Sequence, residues 1–429
     1  MNPIHRAHAL LAISLLACAV AGAKFVRQWT PEPLFPSAAL TRQGMLSDYK
    51  PELKGAAGDT EIYYFEGEKP GGTVLICGGT HPNEPAAYVA AVAILENLRV
   101  SAGRVIVIPR ANKAGFMHTD SQEAMVHSYR IETPHGMRVF RNGSRFTAPV
   151  KQWPDPTIYV NPRGEFWDGL CVDCGPNNPG PGNQTLAGSD SRNLNRVYPG
   201  KTDGTMTEQV GYAIMTLIRK EGVGLAIDFH EASPEYPTIN VMVAHQRAAD
   251  VASWATLSLS EDGVEIGLDA SAIMLRGLSH REWGDGSPAM PVLFESANVA
   301  QGRLKGRVNE EQITKGIDLT YHRAELIQKK LNERLANDAA KAIAAGREPG
   351  ERSRKILYVS IPEGGIPIEV RAGRHVQGAK RLIEAFSEME PDRAVELGGL
   401  PSYKALVADG LGQYLHGPGG QPPATIVED

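Results

Sequence analysis

The chain has 429 residues, of which 42% are hydrophobic and 22% charged, and its formal net charge is −5 at pH 7. This is the composition of an ordinary globular protein with enough apolar residues for one large domain and a smaller one. The net charge is small for the length. It therefore gives no electrostatic reason to expect nucleic acid or an anionic membrane surface as a partner.

The first 23 residues have the pattern of a secretory signal peptide. A basic start precedes an apolar run from Ala9 to Ala23, and Ala21-Gly22-Ala23 fits a small-residue cleavage site. Because the run is short for a membrane span, we expect export to the periplasm or cell envelope, with no span after signal removal. Two alternatives are a lipid anchor at Cys18 and a hydrophobic N-terminal helix that belongs to the fold.

The four cysteines do not indicate a metal site of their own. Cys18 belongs to the leader and Cys77 to an apolar strand, so Cys171 and Cys174 form the one close pair. A second zinc site would need two further Cys or His ligands nearby, and none is present. In an exported protein, a local disulfide is the favoured interpretation of this pair.

A strand followed by a histidine and a glutamate is the first candidate for chemistry. Val74–Cys77 is an apolar run typical of a fully buried parallel strand, and Gly78-Gly79 allows a sharp turn after it. His81 and Glu84 follow, before a helix predicted over residues 86–98. Both side chains therefore lie at the carboxyl end of a strand, where open α/β sheets bind their ligands. The alternative is a polar loop that precedes a helix.

A second histidine occurs in the same setting. Residues 104–109 form the next predicted strand and complete a βαβ unit. Leu225–Phe229 is another apolar strand, and it delivers His230 at its end. Histidines at the ends of two strands of one parallel sheet can converge on one ion. With His81 and Glu84, His230 would complete the His₂Glu ligand set of a catalytic zinc site.

We expect the main domain to cover residues 24–345 and a C-terminal extension to cover residues 346–429. Residues 115–190 are irregular and rich in proline and glycine, so we interpret them as a long insertion that forms a wall of the site. The extension contains two runs typical of strands, 356–361 and 366–370, and one typical of a helix, 377–388.

Four separated motifs occur in an order that resembles a known family. They are Gly-Gly-Thr-His-x-Asn-Glu ending at Glu84, Leu-Asn-Arg ending at Arg196 before Tyr-Pro, Asp-x-His ending at His230, and Glu295 after an apolar strand. This order resembles the zinc carboxypeptidase superfamily. The first motif is most similar to its aspartoacylase and succinylglutamate desuccinylase branch. The resemblance covers residues 73 to about 303.

The resemblance implies a fold and a cofactor. It implies an α/β fold with a mixed, mostly parallel sheet flanked by helices, here with a small α+β C-terminal extension. It also implies one Zn²⁺ per chain, with His81, Glu84 and His230 as the ligands. The extension departs from the β-rich C-terminal domain of the aspartoacylase branch, so the narrow substrate choice of that branch does not carry over.

The resemblance also implies roles for residues around the metal. Asn195 and Arg196 match the pair that holds a substrate carboxylate, and Glu295 matches the glutamate that acts on the zinc-bound water. Each has a structural alternative, namely a turn cap for Asn195, an ordinary ion pair for Arg196 and a structural salt bridge for Glu295. The residue that stabilises the developing oxyanion is open between Arg192, Arg145 and Arg163.

The sequence thus predicts a zinc-dependent hydrolase that cleaves an amide bond next to a free carboxylate. The first interpretation is a deacylase of N-acyl amino acids. The second is a cell-envelope carboxypeptidase that acts on peptides or peptidoglycan stem peptides. The third is a non-catalytic binding protein that keeps the fold and a structural metal. The expected partner is a small-molecule or peptide substrate.

Overall fold

The computed structural model describes residues 2–27, 30–119, 125–148, 158–159, 186–273, 275–350, 355–423 and 425. Cys171, Cys174, Arg163 and much of the predicted 115–190 wall lie outside them. The helices are α1 (Pro3–Arg27), α2 (Pro85–Asn97), α3 (Leu194–Val197), α4 (Met206–Lys220), α5 (Ala249–Glu261), α6 (Ser279–Asp285), α7 (Glu310–Lys315), α8 (Leu319–Ala344), α9 (Ile368–Met389) and α10 (Tyr403–Asp409).

The strands belong to one large sheet and two small hairpin-like pairs. They are β1 (Arg42–Met45), β2 (Glu61–Glu66), β3 (Lys69–Cys77), β4 (Arg99–Ile108), β5 (Ser128–Thr133), β6 (Gly136–Arg141), β7 (Ile158–Tyr159), β8 (Leu186–Ala187), β9 (Leu225–Ala232), β10 (Val241–Ala244), β11 (Gly267–Ala270), β12 (Met290–Ala297) and β13 (Glu396–Gly398).

Within the described residues the large sheet has nine strands. Their order is β1-β2-β4-β3-β9-β12-β10-β11, and β13 pairs with β4. The central strands β4, β3, β9 and β12 run parallel, whereas β2 and β10 run antiparallel to their inner neighbours. This mixed, mostly parallel α/β sheet confirms the predicted fold class.

The central strands are buried because helices cover both faces of the sheet. Val74 and Ile76 pack into a core with α2, α5 and α9. Leu75 and Cys77 point to the other face and pack with α4 and Trp283 of α6. Alternate residues of one strand therefore enter two different cores, which explains the continuous apolar run.

The C-terminal residues join the main sheet. The predicted helix is confirmed as α9, which begins earlier than predicted and packs on α2 and α5.

The predicted strands at 356–361 and 366–370 are wrong. The backbone N–H of Leu357 donates to Gln328 Oε1, and that of Tyr358 donates to the Pro234 carbonyl. The first run therefore packs as an irregular segment without a strand partner. The second run leads into α9, which begins directly after Pro367, because proline favours the start of a helix. The division of the chain at residue 345 stays a prediction.

The N-terminal helix stands apart from the sheet. α1 has 25 residues and none of them is buried. Among the described helices it is the one that is long and apolar enough to cross a membrane, because it extends beyond the apolar run at both ends. A signal sequence meets the same criteria, and this exposed, apolar N-terminal helix resembles one.

Candidate active site

Adjacent parallel strands bring the three predicted metal ligands to one edge of the sheet. His81 and Glu84 lie in the loop between β3 and α2, and His230 lies near the carboxyl end of β9, which pairs with β3. Gly79 turns the chain out of β3 at φ +61°, and a Cβ atom there would lie 2.8 Å from the Pro109 carbonyl oxygen. This turn therefore requires glycine.

The three side chains are buried and close together. His81 Nδ1 lies 2.7 Å from Glu84 Oε1, and His230 Nδ1 lies 3.0 Å from Glu84 Oε2. The two Nδ1 atoms are 3.2 Å apart. One ligand atom from each residue lies within 4.8 Å of the other two, so the group could hold a metal ion.

The outer ring nitrogens fix the tautomers of both histidines. His81 Nε2 lies 2.9 Å from Asn193 Oδ1, and His230 Nε2 lies 2.9 Å from Asp228 Oδ2. Asn193 Oδ1 also accepts the Asn195 N–H, which fixes the orientation of that amide. Because an amide oxygen and a carboxylate oxygen only accept, each Nε2 donates a proton. Each Nδ1 lone pair then faces the centre of the cluster, as metal ligation requires.

The charges around the cluster favour a cation at its centre. Burial alone would raise the pKa of Glu84, but His81 and His230 hold it below its usual range. Burial would lower the pKa of His230, yet Asp228 and Glu84 raise it well above its ordinary value. The negative charge that holds a proton on His230 would equally favour a divalent ion. Once such an ion displaced that proton, the Glu84 carboxylate and the two Nδ1 atoms would match the donor set of catalytic zinc sites.

Several supporting side chains had no strong signal in the sequence. Asp228 accepts hydrogen bonds from the hydroxyls of Thr80 at 2.9 Å and Ser279 at 2.5 Å. Asn193 stands two residues before the predicted Asn195, in the same motif. Its position in that motif is therefore the one feature of the sequence that could have indicated its role beside His81.

Glu295 lies beside the cluster on the next strand. β12 pairs in parallel with β9, and Glu295 is in register with His230. The residue lines the cavity and is partly exposed to it, but its Oε2 atom is buried and has no hydrogen-bond partner among the described residues. Burial raises the pKa of the Glu295 carboxyl to about 8.

A cavity of about 660 Å³ opens on these residues. Among the described residues, three arginines line it, namely Arg145, Arg196 and Arg303. Arg145 Nη2 lies 3.4 Å from Glu84 Oε1, which places this guanidinium beside the cluster. Of the predicted candidates for contact with the oxyanion, Arg145 lines the cavity, Arg192 does not, and Arg163 lies outside the described residues.

Asn195 and Arg196 are placed together at the cavity wall. Asn195 Oδ1 accepts the Ser279 N–H at 2.8 Å, so its amide nitrogen is the donor that remains. Arg196 Nη1 donates to the Asn195 carbonyl at 2.8 Å. Burial and the nearby Arg145 lower the pKa of Arg196, which remains a cation at neutral pH because the usual value is so high.

Arg192 lies elsewhere. Its Nη1 atom donates to the Thr147 carbonyl at 2.8 Å, and its guanidinium lies 5.3 Å from the centre of the Phe146 ring. It is not among the described residues that line the cavity. Its suggested contact with the substrate stays a prediction that the arrangement does not favour.

His280 lines the cavity and was missed by the sequence analysis. Its Nδ1 atom lies 2.7 Å from the Ser271 hydroxyl. Burial, with His230 and Arg196 nearby, lowers the pKa of His280 to about 3. The ring is therefore neutral at physiological pH and adds no charge to the cavity.

Glu231 points away from the cluster but supports it. Its backbone N–H donates to Glu84 Oε2 at 3.0 Å, whereas its carboxylate accepts the Ala86 N–H at 2.8 Å on the other face of the sheet. The same carboxylate forms an ion pair with Arg371 of α9, and both side chains are fully buried. Strand alternation therefore excludes Glu231 as a ligand and makes it a support for Glu84.

No protein-family model matches the chain, and no curated protein does. The structure is similar to succinylglutamate desuccinylase/aspartoacylase from Rhodobacter sphaeroides, with a TM-score of 0.32, 15% identity, and coverage of 57% of this chain and 54% of the other. It is also similar to the product-bound ectoine utilization protein EutE (DoeB) from Ruegeria pomeroyi, with a TM-score of 0.32, 16% identity, and coverage of 69% and 64%.

A third similar structure is the tripeptide-bound cell shape determinant Csd4 from Helicobacter pylori, with a TM-score of 0.40, 11% identity, and coverage of 82% and 60%. The chain therefore spans about half to two thirds of the length of these proteins. Other similar structures are a succinylglutamate desuccinylase from Silicibacter and an aspartoacylase family protein from Mesorhizobium loti.

Proposed function

We propose that this chain is an exported hydrolase with one zinc ion per chain, which cleaves an amide bond next to a free carboxylate. The observation that carries the proposal is the convergence of His81, Glu84 and His230, with Glu295 beside them, in one cavity. α1 then serves as the export signal, and outside α1 the described residues contain no further helix that is long and apolar enough to span a membrane.

The residues of the cavity have separate tasks. A zinc ion held by His81, Glu84 and His230 would lower the pKa of a water molecule and polarise the amide carbonyl. Glu295 takes a proton from the attacking water and passes it to the leaving nitrogen. Its unpartnered Oε2 atom and its raised pKa suit a group that holds a proton briefly near neutral pH.

The substrate carboxylate is held at the wall of the cavity. The guanidinium of Arg196 presents two parallel N–H groups to a carboxylate, which a lysine cannot do. The amide nitrogen of Asn195 adds a further donor, since its oxygen is taken by Ser279. Asn195, Arg196 and Glu295 line the same cavity, so a substrate held in this way would have its neighbouring amide bond in the cavity that contains Glu295.

Deacylation of N-acyl amino acids is the first candidate, because the Gly-Gly-Thr-His-x-Asn-Glu motif favours it. A cell-envelope carboxypeptidase acting on peptides or peptidoglycan stem peptides is the second. The cavity of about 660 Å³ favours it, because that space exceeds the needs of a small acyl amino acid. The two candidates are distinguished by comparing the rate at which one amino acid is released from its N-acyl derivative with the rate at which it is released from peptides that end in it. A deacylase releases it faster from the N-acyl derivative, and a carboxypeptidase releases it faster from the peptides.

A binding protein without catalysis is the third candidate. It would require the Glu295 carboxylate to face away from the cavity. Glu295 lines the cavity instead, which counts against this candidate.

The first prediction concerns metal content. Purified protein should contain about one zinc per chain, and the double variant His81→Ala, His230→Ala should contain almost none, because one ligand cannot hold the ion. Elemental analysis of dialysed protein measures both. His322→Ala is the control, since His322 and Glu325 have the same spacing on helix α8. Full zinc occupancy in the double variant would refute the site.

The second prediction concerns the carboxylate grip. Arg196→Lys keeps the charge but loses the paired N–H groups, so KM should rise about ten- to a hundredfold, the worth of a charge-assisted hydrogen bond. Steady-state kinetics with a free carboxylate and with its carboxamide measure the effect. The carboxamide should be a poor substrate for the parent. It should be hardly worse for Arg196→Lys, because it lacks the carboxylate that Arg196 is proposed to bind.

The comparison variant for this prediction is Arg192→Lys. Arg192 lies against Phe146 and the Thr147 carbonyl, so its replacement should change KM little. An unchanged preference for the free carboxylate in Arg196→Lys would move the grip to another arginine of the cavity, Arg303 or Arg145.

A further inference from the structure

A row of three side chains crosses the sheet next to Glu295. Leu293 of β12 is in register with Val243 of β10, and Val243 is in register with Asp269 of β11. All three line the cavity. Leu293 stands two residues before Glu295, so the two side chains leave the same face of the strand. The row therefore begins beside the proposed catalytic glutamate and ends at a carboxylate.

Sheet geometry sets the length of this row. With about 4.8 Å between strands and about 3.3 Å per residue, Val243 lies about 8 Å from Glu295 and Asp269 about 12 Å, measured between Cα atoms. Apolar side chains line the cavity between Glu295 and Asp269. They belong to Val243, Leu293, Ala270, Ala272, Leu275 and Leu278, which all line the cavity. The row is thus an apolar trough with one acidic end.

The proposed carboxylate grip adjoins this trough. The backbone N–H of Ser279 donates to Asn195 Oδ1 at 2.8 Å. Ser279 directly follows Leu278, which lines the trough, and precedes His280, which lies close enough to Arg196 for its pKa to be affected. A residue whose carboxylate is bound at Asn195 and Arg196 therefore has the trough within reach of its own side chain.

The acidic end of the trough is free to bind a ligand. The Asp269 side chain forms no hydrogen bond or ion pair with a described residue, and it is exposed to the cavity. The nearest arginines in the sequence are already engaged, since Arg276 and Arg281 both pair with Asp285 at 2.5 Å. A ligand cation would therefore find an unneutralised carboxylate here, and a ligand anion would be repelled.

We propose that Asp269 selects substrates in which the carboxylate-bearing residue has a cationic side chain on an aliphatic stem, of lysine or arginine type. The stem lies along Leu293 and Val243, and the cation pairs with the Asp269 carboxylate. The inference rests on the proposed function and applies equally to an N-acyl amino acid and to a peptide with a basic C-terminal residue.

Three substrates with one acyl group and side chains of similar length test this selection. Their amino acids are lysine, norleucine and 2-aminoadipate, which end in a cation, a methyl group and a carboxylate. For the zinc-loaded parent we expect kcat/KM to fall in that order. In Asp269→Asn the advantage of lysine over norleucine should shrink about two- to fivefold, the worth of one partly solvated ion pair. In Asp269→Lys the order of lysine and 2-aminoadipate should reverse.

Each variant is compared with itself across the three substrates, so a general loss of activity does not imitate the result. Glu265→Gln is the matched control, because Glu265 is exposed, lies four residues before Asp269 and does not line the cavity. Its substrate order should equal that of the parent. Calorimetric binding of the three free amino acids to the metal-free protein gives a second readout without turnover, with the same order expected.

The outcomes separate this inference from the proposed function. Hydrolysis of all three substrates without a preference for lysine, or an unchanged preference in Asp269→Asn, would overturn the role of Asp269 and leave the hydrolase intact. If the zinc-loaded parent hydrolysed none of the three amino acids, either from the N-acyl derivatives or from peptides that end in them, the proposed function would be overturned, and the inference with it.

Discussion

The variant Glu295→Gln should lower kcat about 10²–10⁴-fold, the usual worth of a general base, while zinc content stays normal. Glutamine keeps the shape of the side chain but cannot take up a proton. Glu295 is in register with His230 without belonging to the cluster of metal donors, so its loss should spare the metal. Steady-state kinetics and elemental analysis on the same preparation measure the two effects.

The matched control for Glu295→Gln is Glu235→Gln. Glu235 follows the same strand as His230, but its carboxylate accepts hydrogen bonds from the Tyr321 hydroxyl at 2.6 Å and the Leu304 N–H at 2.8 Å. We therefore expect its kcat to stay within a few-fold of the parent. A normal kcat in Glu295→Gln, or an equal loss in both variants, would remove Glu295 from the chemistry.

The pH dependence of stability gives an independent check on Glu295. In the metal-free protein burial raises its pKa to about 8, above the value of about 4.3 in an unfolded chain. Between these pH values the unfolded state loses the proton first, so the parent loses stability as pH rises from about 4.3 to about 8. Glu295→Gln lacks this loss. The melting temperature of Glu295→Gln minus that of the parent should therefore increase as pH rises across that window. A difference that does not change with pH would contradict the burial of the Glu295 carboxyl.

The variant Arg371→Met should destabilise the fold by about 3–5 kcal/mol, because it leaves the buried Glu231 carboxylate without its cation. Both side chains of this pair are fully buried. Urea unfolding of the metal-free protein measures the loss. Zinc affinity should fall as well, about 10–100-fold, because Glu231 holds Glu84 through its backbone N–H.

A second arginine of the same helix provides the control. Arg381 of α9 pairs with Asp262 at 2.7 Å, but the two side chains remain 30% and 20% exposed. Arg381→Met should therefore cost less than about 1 kcal/mol and leave zinc affinity unchanged. Equal losses in the two variants would show that any arginine of this helix matters and that the buried pair has no special role.

The strands that carry the proposed ligands could be predicted because their signals are local. A run of apolar residues such as Val74–Cys77, followed by glycines, defines a buried strand by itself, and parallel strands end at the same edge of the sheet. Those two facts predict that His81, Glu84 and His230 lie at strand ends, and the family resemblance added their role as ligands. Their convergence, with donor atoms within 4.8 Å of one another, also depends on the pairing of β3 with β9, which the structure shows.

The supporting contacts could not be predicted because they join segments that are remote in the chain. Asn193 lies 112 residues from His81, and Ser279 lies 51 residues from Asp228. Hydrophobic periodicity does not report such pairs. The run at 356–361 failed for a related reason, since β-branched residues predict a strand only when a partner strand is available.

The ion pair between Glu231 and Arg371 has a consequence for the order of synthesis. The three proposed ligands are complete once residue 230 has been made. The supporting residue Glu231 follows at once, but Arg371, which neutralises it, lies 140 residues further along the chain. A nascent or truncated chain that ends before α9 holds Glu231 without a counter-charge and Glu84 without a fixed neighbour. We therefore expect the proposed metal centre to reach its full zinc affinity only after helix α9 has docked. In an exported chain, that step would come after α9 has crossed the membrane.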